Sequence, residues 1–427
     1  MLPAQPSDFE EHLLSTFRHR SRLATALIGA GILALAACGS GSSSDEPSAE
    51  SSDWSGVLAD AKGETVNWYM FGGDDKLNGF VKDEVAPRLA KLGVTLKQVR
   101  ITDTADAVNK VLGEKQAGRT KGGAVDAIWI NGENFATGVQ ADLWACGWAD
   151  DLPNAKYIDL QDPAVANDFG VPVKGCEAVW QQANSALVYD SSKLQPTDVK
   201  SVDSLLAWAK ANPGRFTYPA PPDFTGSMAV RSLLYAKLGD PSALVGGFDQ
   251  QKYADATNGF YRELNAIEPT LWRGGETYPT SQDDVEKLFA NGEISAYFTY
   301  GPGAVAAKVD DGSYPSSTRE AVPSSGNISN YSFVSIPKNA AHRSAAYVLA
   351  NTLQDPQVQL ALFKATGVYP GIDVARTSDE VQQAFAAVPL SPSVLSLAEL
   401  SARAQPELAS DYLTKIEKDW TSQVLQK

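Results

Sequence analysis

Thr65-Val66-Asn67-Trp68-Tyr69-Met70, followed by Leu77, Phe80, Val81, Val85, Leu89 and Leu92, decides the fold class of this chain. The first run is β-branched and aromatic and reads as a strand; the apolar positions after it recur at helical spacing. Val94-Thr95-Leu96-Lys97-Gln98-Val99 then gives a second strand, and Ala105, Val108, Val111 and Leu112 mark a second helix. Val125-Asp126-Ala127-Ile128-Trp129-Ile130 is a third strand. Strands alternating with helices of this length predict βαβ units and a parallel, doubly wound sheet.

Beyond this set the pattern changes. Residues 177–189 form a long apolar and aromatic run that predicts a strand crossing to a second lobe. A helix over 202–211, a short strand at Phe216-Thr217-Tyr218 and a helix beginning near Thr225-Gly226-Ser227 follow. Helices over 251–267 and 282–290, a strand over 294–300 and a return strand over 331–336 come next. Residues 344–363 read as a helical hairpin, with Asp355 as cap and Pro356 opening its second helix. The chain is helical again from Thr377 to about Trp420. Two α/β sets joined by a crossing and a return predict a two-lobed α/β protein with a cleft between the lobes.

The N-terminal segment carries a different message. Arg18, Arg20 and Arg22 precede an apolar run, 23–37, that ends in Leu35-Ala36-Ala37-Cys38. A basic flank, a short apolar core and small residues describe an export signal rather than a spanning helix. The final tetrad resembles the bacterial lipobox, which implies a lipidated Cys38. The Gly- and Ser-rich stretch from Gly39 to Ser48 reads as a flexible tether. The expected organisation is a signal peptide over 1–37 and a tether over 38–62. Lobe 1 then takes 63–175 with 325–369, and lobe 2 takes 176–324 with 370–427. The expected location is extracytoplasmic, with lipid as the sole membrane attachment.

Composition narrows the function. A net charge of −15 repels nucleic acid and anionic lipid. Of three histidines, His12 and His19 fall in the signal region, so only His342, expected to face solvent, serves the body. Ser-His-Asp, Cys-His and His-rich zinc chemistries therefore lack their histidines, and no cofactor or metal site is expected. Lipidation of Cys38 leaves Cys146 and Cys176 as an even pair in an oxidising compartment, which predicts a disulfide.

Several phrases carry a family resemblance. Phe289-Ala290-Asn291-Gly292-Glu293-Ile294-Ser295-Ala296, the lipobox and the hairpin around Leu353-Gln354-Asp355-Pro356 resemble extracellular solute-binding proteins of ABC importers. Trp129-Ile130-Asn131-Gly132-Glu133-Asn134-Phe135, Leu152-Pro153-Asn154, Asp168-Phe169-Gly170 and Glu177-Ala178-Val179-Trp180 look like the YnjB-type branch. The resemblance implies the type II periplasmic-binding-protein fold, no catalysis, and an ABC permease and ATPase as partners.

Ligands of doubly wound sheets bind beyond the carboxyl ends of the strands. That rule points to Trp68, Tyr69, Phe71 and Asp74 after the first strand, and to Trp129, Asn131 and Glu133 after the third. Trp180 on the crossing, Thr225 and Ser227 at a helix start, and Tyr300 at a strand end complete the candidates. The aromatics equally suit core packing, and the polar residues equally suit helix capping. Gly301-Pro302-Gly303-Ala304-Val305-Ala306 matches a loose dinucleotide pattern but sits outside the first βα turn. Aromatics beside acidic groups suit a thiamine-like or other cationic organic solute, and suit a sugar by stacking. Two other readings stay open at this point: an exported carboxylate-dependent hydrolase, and a sensor or chaperone lipoprotein on the same fold.

Overall fold

The computed structural model describes residues 53–301 and 303–427. Cys38, the expected signal and the Gly/Ser stretch lie outside the described residues. Asp53 caps a helix, Trp54–Ala61, whose Trp54, Val57, Leu58 and Ala61 pack on the core beside the helix Arg343–Leu353. The expected tether over 38–62 is therefore too long: its last residues carry an i, i+3, i+4, i+7 apolar stripe that is buried as a helix.

The strands in chain order are β1 Thr65–Phe71, β2 Thr95–Ile101, β3 Ala127–Ile130, β4 Asn167–Asp168, β5 Val171–Pro172 and β6 Glu177–Asn184. There follow β7 Ala186–Asp190, β8 Ala296–Thr299, β9 Thr318–Ala321, β10 Asn327–Ser335 and β11 Ala404–Gln405. In the larger sheet β1 pairs in parallel with β2 and with β3, in the registers Trp68↔Gln98 and Trp68↔Ala127. β10 lies antiparallel to β3, and β6 antiparallel to β10. The helices between β1, β2 and β3 stand where the spacing predicts, except that Asp75–Lys91 contains a π-turn at Val81–Val85.

The second sheet, β8-β7-β9, is antiparallel. The expected second doubly wound set is thus not a parallel one, and Phe216-Thr217-Tyr218 reduces to a single bridge from Phe216 to Ala296. The helix expected over 251–267 breaks at Gly259, whose φ of 73° only glycine takes readily, giving Gln250–Ala256 and Phe260–Ile267. Leu408, Tyr412, Ile416 and Trp420 from the C-terminal helix region pack into the same core as the helix Phe224–Leu238.

The two sheets are joined by the chain itself. Only Ser185 separates β6, in the larger sheet, from β7, in the smaller one; β9 and β10 make the return. Ser185 N donates to the Ile328 carbonyl at 2.8 Å, and Ser185 Oγ accepts from Ile328 N at 2.8 Å. The crossing segments are thereby pinned side by side. Since β6 bonds along its length to β10, it belongs to the larger sheet, not to the second lobe starting at 176.

Cys146 and Cys176 form the disulfide. Closing a loop of this size is worth about 3.5–4 kcal/mol in the chain-entropy picture. The Gly175 carbonyl, accepting from Trp148 N and Ala149 N, supports the same junction. His342 stands at the start of the helix Arg343–Leu353, as its position implied, but is only partly exposed, with Nδ1 3.2 Å from the buried Asp126 carboxylate. Gly303, from the dinucleotide-like motif, has φ 94° and packs so closely on the Gly367 carbonyl that a Cβ would lie 2.2 Å from it. That glycine serves a backbone crossing, not a phosphate.

Candidate functional site

Parallel pairing brings the carboxyl ends of β1 and β3 to one edge, and the aromatics gather there. Alternation along β1 turns Val66, Trp68 and Met70 to the core and leaves Tyr69 half-buried and Phe71 exposed. Trp68 and Trp180 are sealed from solvent. They are core residues, which corrects their expected place as cleft walls. From them a chain of edge-to-face contacts runs outward: Trp68–Trp180 at 5.4 Å, Trp180–Trp129 at 5.0 Å and Trp129–Phe71 at 6.4 Å. The buried pair fixes the half-exposed Trp129, and Trp129 and Phe71 present the surface. Gly73 does not open the backbone to a ligand, because the Phe71 ring fills the space its side chain would take.

The polar candidates divide. Asp74 caps the helix Asp75–Phe80, accepting from Lys76 N at 2.9 Å and Leu77 N at 3.0 Å. Asn131 is half-buried in the turn after β3. Glu133 opens the helix Glu133–Gln140 after Gly132, whose φ is 64°. Its side chain reaches solvent, yet protein surrounds it closely enough that lost hydration raises its carboxyl above the ordinary range. Arg231 opposes that rise, and Asp103 and Glu407 add to it. Access to water together with enclosure is what a side chain standing in a cleft shows.

The helix Phe224–Leu238 carries Arg231, whose charge acts on Glu133. Its cap is Asp223, accepting from Gly226 N at 2.8 Å, rather than Thr225. The Asp223 carboxylate thus sits at the helix end where Thr225 and Ser227 were expected to meet a ligand. Thr225 and Ser227 are buried. Ser227 Oγ accepts from Arg231 Nη1 at 2.7 Å, and Ser227 helps to hold down the Glu417 carboxyl, which burial raises.

Arg231 organises the floor. Its side chain is fully buried, with Nε 3.1 Å from Glu407 Oε2 and Nη2 donating to Tyr300 Oη at 3.1 Å. Tyr300 Oη also donates to Glu407, as does Asn330 Nδ2 at 2.9 Å. The Tyr300 ring stacks on the exposed Phe224 at 4.9 Å. Arg231 Nη2 also donates to Glu407 Oε1 at 3.2 Å, so the carboxylate faces the guanidinium with both oxygens. Asp168, on β4, accepts from Gly132 N at 2.7 Å; burial first, then Glu133 and Glu407, hold its carboxyl well above the carboxylate range. Glu417 is raised by burial, with Ser227 and Arg231 opposing and Glu133 adding. Glu133, Asp168 and Glu417 are thus all raised chiefly by burial, and Glu133 adds to the rise of the other two.

The sequence reading singled out Phe71, Trp129, Glu133, Ser227 and Tyr300, and it passed over Phe224, Asp168, Arg231, Asn330, Glu407 and Glu417, which the structure sets around Gly132, Ser227 and Tyr300. Arg231 carried a signal: it is the one charge in a helix stretch, Thr225 to Tyr235, that is buried throughout.

The model of the family described as bacterial extracellular solute-binding protein matches residues 86–388. Protein YnjB of Escherichia coli strain K12 is 38% identical over 309 residues, 72% of this chain and 79% of that protein. An ABC transporter substrate-binding protein from Bradyrhizobium japonicum superposes with TM-score 0.61 at 18% identity, covering 84% of this chain and 99% of that one. A spermidine/putrescine ABC transporter substrate-binding protein from Streptococcus pneumoniae superposes with TM-score 0.57 at 14% identity, covering 84% and 98%. This chain belongs to the bacterial extracellular solute-binding proteins, a family of binding proteins rather than enzymes.

Proposed function

We propose that this protein captures a small organic cation in the cleft between its sheets and delivers it to an ABC permease, while Cys38 ties it to the membrane by lipid. The carrying observation is the state of Arg231. The buried guanidinium is ion-paired with Glu407 and bonded to Tyr300 and Ser227, so its charge is already compensated within the protein rather than held for an anionic solute. Glu133, Asp168 and Glu417 then leave the space rich in carboxyl groups, and a cation is what such a space favours. Phe71, Trp129, Phe224 and Tyr300 add ring faces that attract cations.

Thermal unfolding in the presence of matched panels of organic cations, neutral sugars and organic anions tests the reading. A ligand that binds only the folded state adds about 2.7 kcal/mol at a hundredfold excess over Kd. Cations alone should raise Tm; a rise with sugars or anions and none with cations would overturn the proposal. Anchoring has its own test: Cys38→Ser should move the protein from the membrane to the soluble fraction.

A further inference from the structure

Two phrases singled out in the sequence, Glu177-Ala178-Val179-Trp180 and Leu353-Gln354-Asp355-Pro356, each place a residue in the lining of a cavity of about 140 Å³. Glu177 opens β6, with about 20 Å of strand between it and the crossing at Ser185, so this cavity is not the cleft. The lining residues Asp150, Leu160 and Lys174 are exposed and mark its mouth. Ile158, Val165 and Ala178 give buried apolar walls, and Glu177 and Gln354, at 3% and 2% exposure, give a polar floor. The Gly175 carbonyl, accepting from Trp148 N and Ala149 N beside the Cys146–Cys176 bond, holds one wall in place. Gln354 Nε2 donates to the Val179 carbonyl at 3.0 Å, and a carbonyl can only accept, so the orientation of the amide is fixed. Its Oε1 is then a buried acceptor with no hydrogen-bond partner among the described residues. Ser335 Oγ reaches Glu177 Oε1 at 3.4 Å, and Glu177 Oε2 has no partner either. Lys174 is the single cation among the lining residues, against the carboxyls of Asp150 and Glu177.

We propose that this cavity is a second binding site, and that it takes a primary ammonium group on a short aliphatic stem. The site does not depend on the cationic reading of the cleft. A buried polar atom left unpaired is costly, and a guest that brings a donor removes the cost. An ammonium carries N–H donors and no acceptor, so it meets Gln354 Oε1 and the Glu177 carboxylate together, and the bond to the carboxylate is charge-assisted. The apolar walls take the stem out of water. Size agrees: an engineered cavity of about 150 Å³ in another protein takes benzene, a guest of about six non-hydrogen atoms. A hydroxyl brings one donor and no charge, and a quaternary ammonium brings charge and no donor. A metal ion fits poorly, because a hard cation asks for at least about six oxygens. Among the described residues no group of His, Cys, Asp and Glu side chains suits a metal.

Titration calorimetry with n-butylammonium, n-butanol and tetramethylammonium tests the site. n-Butylammonium should bind at least about tenfold tighter than either of the others. Gln354→Leu, which removes the free oxygen and keeps a similar volume, should weaken that binding at least about tenfold. Ala166→Phe should do the same by filling the mouth, since Ala166 is an exposed lining residue. If Gln354→Leu does not fold, Ala166→Phe, a change at the surface, carries the test. Equal affinity for the three probes, or no binding of n-butylammonium, overturns the proposal. So does n-butylammonium binding that Trp129→Ala abolishes and both cavity variants leave intact, which would put the amine in the cleft and leave the cationic reading of the cleft standing.

Discussion

Arg231 Nε lies 3.1 Å from Glu407 Oε2, and both side chains are buried, at 0% and 4% exposure. Burial would be prohibitive for either charge alone, and the Ser227, Tyr300 and Asn330 bonds complete what the ion pair begins. Removing one partner strands the other. Arg231→Met should cost about 3–5 kcal/mol in urea unfolding, and Arg231→Met with Glu407→Met should recover much of the loss. A double variant no more stable than the single one would show that the pair contributes more than charge compensation.

The aromatic chain separates support from contact. Trp68→Ala, in the sealed core, should cost about 3–5 kcal/mol. Trp129→Ala, at the half-exposed end, should cost less and should remove most of the Tm rise given by a bound cation. Both are read by unfolding with and without ligand. A badly destabilised Trp129→Ala protein whose Tm still rises undiminished with ligand would place Trp129 in the core with Trp68.

Where periodicity governs, the sequence was readable. The run into β1 and the apolar spacing after it placed the parallel half of the larger sheet, and Asp355 with Pro356 placed the late hairpin, whose cap accepts from Gln357 N at 2.8 Å. The second sheet was less legible, because antiparallel pairing of short strands such as β9 has no helix between strands to announce it. Depth was harder still. Trp68 and Trp129 look alike in sequence, and only their distance from the sheet's edge makes one core and the other surface. Glu407 and Glu417 lie far from Glu133 along the chain and meet it only through the C-terminal return, which no local pattern encodes.

Glu320 makes the apo protein sensitive to pH. Its oxygens accept from Leu395 N at 3.0 Å and Gly303 N at 3.3 Å, yet burial outweighs these bonds and lifts the carboxyl from 4.5 to about 8. Between those values the folded state holds a proton that the unfolded chain has lost. The stability it contributes is full below the lower value and is lost as pH rises through the upper one. The slope is at most about 1.4 kcal/mol per pH unit for this group. Asp168 and Glu177, raised chiefly by burial, act in the same direction. Urea unfolding from about pH 5 to about pH 8 should show stability falling with pH, and Glu320→Gln should flatten that fall whatever its effect on absolute stability. A wild-type protein whose stability rises across this window would contradict the assignment.

The solute proposed for the region of Phe71, Trp129, Glu133, Phe224 and Tyr300 is an organic cation. Native mass spectrometry of protein purified gently from the cells that make it tests this most directly. The account predicts one co-purifying small molecule that carries positive charge at neutral pH, present in the wild type and lost from Glu133→Gln and Trp129→Ala. A neutral or anionic molecule, or a cation held equally well by both variants, would contradict it.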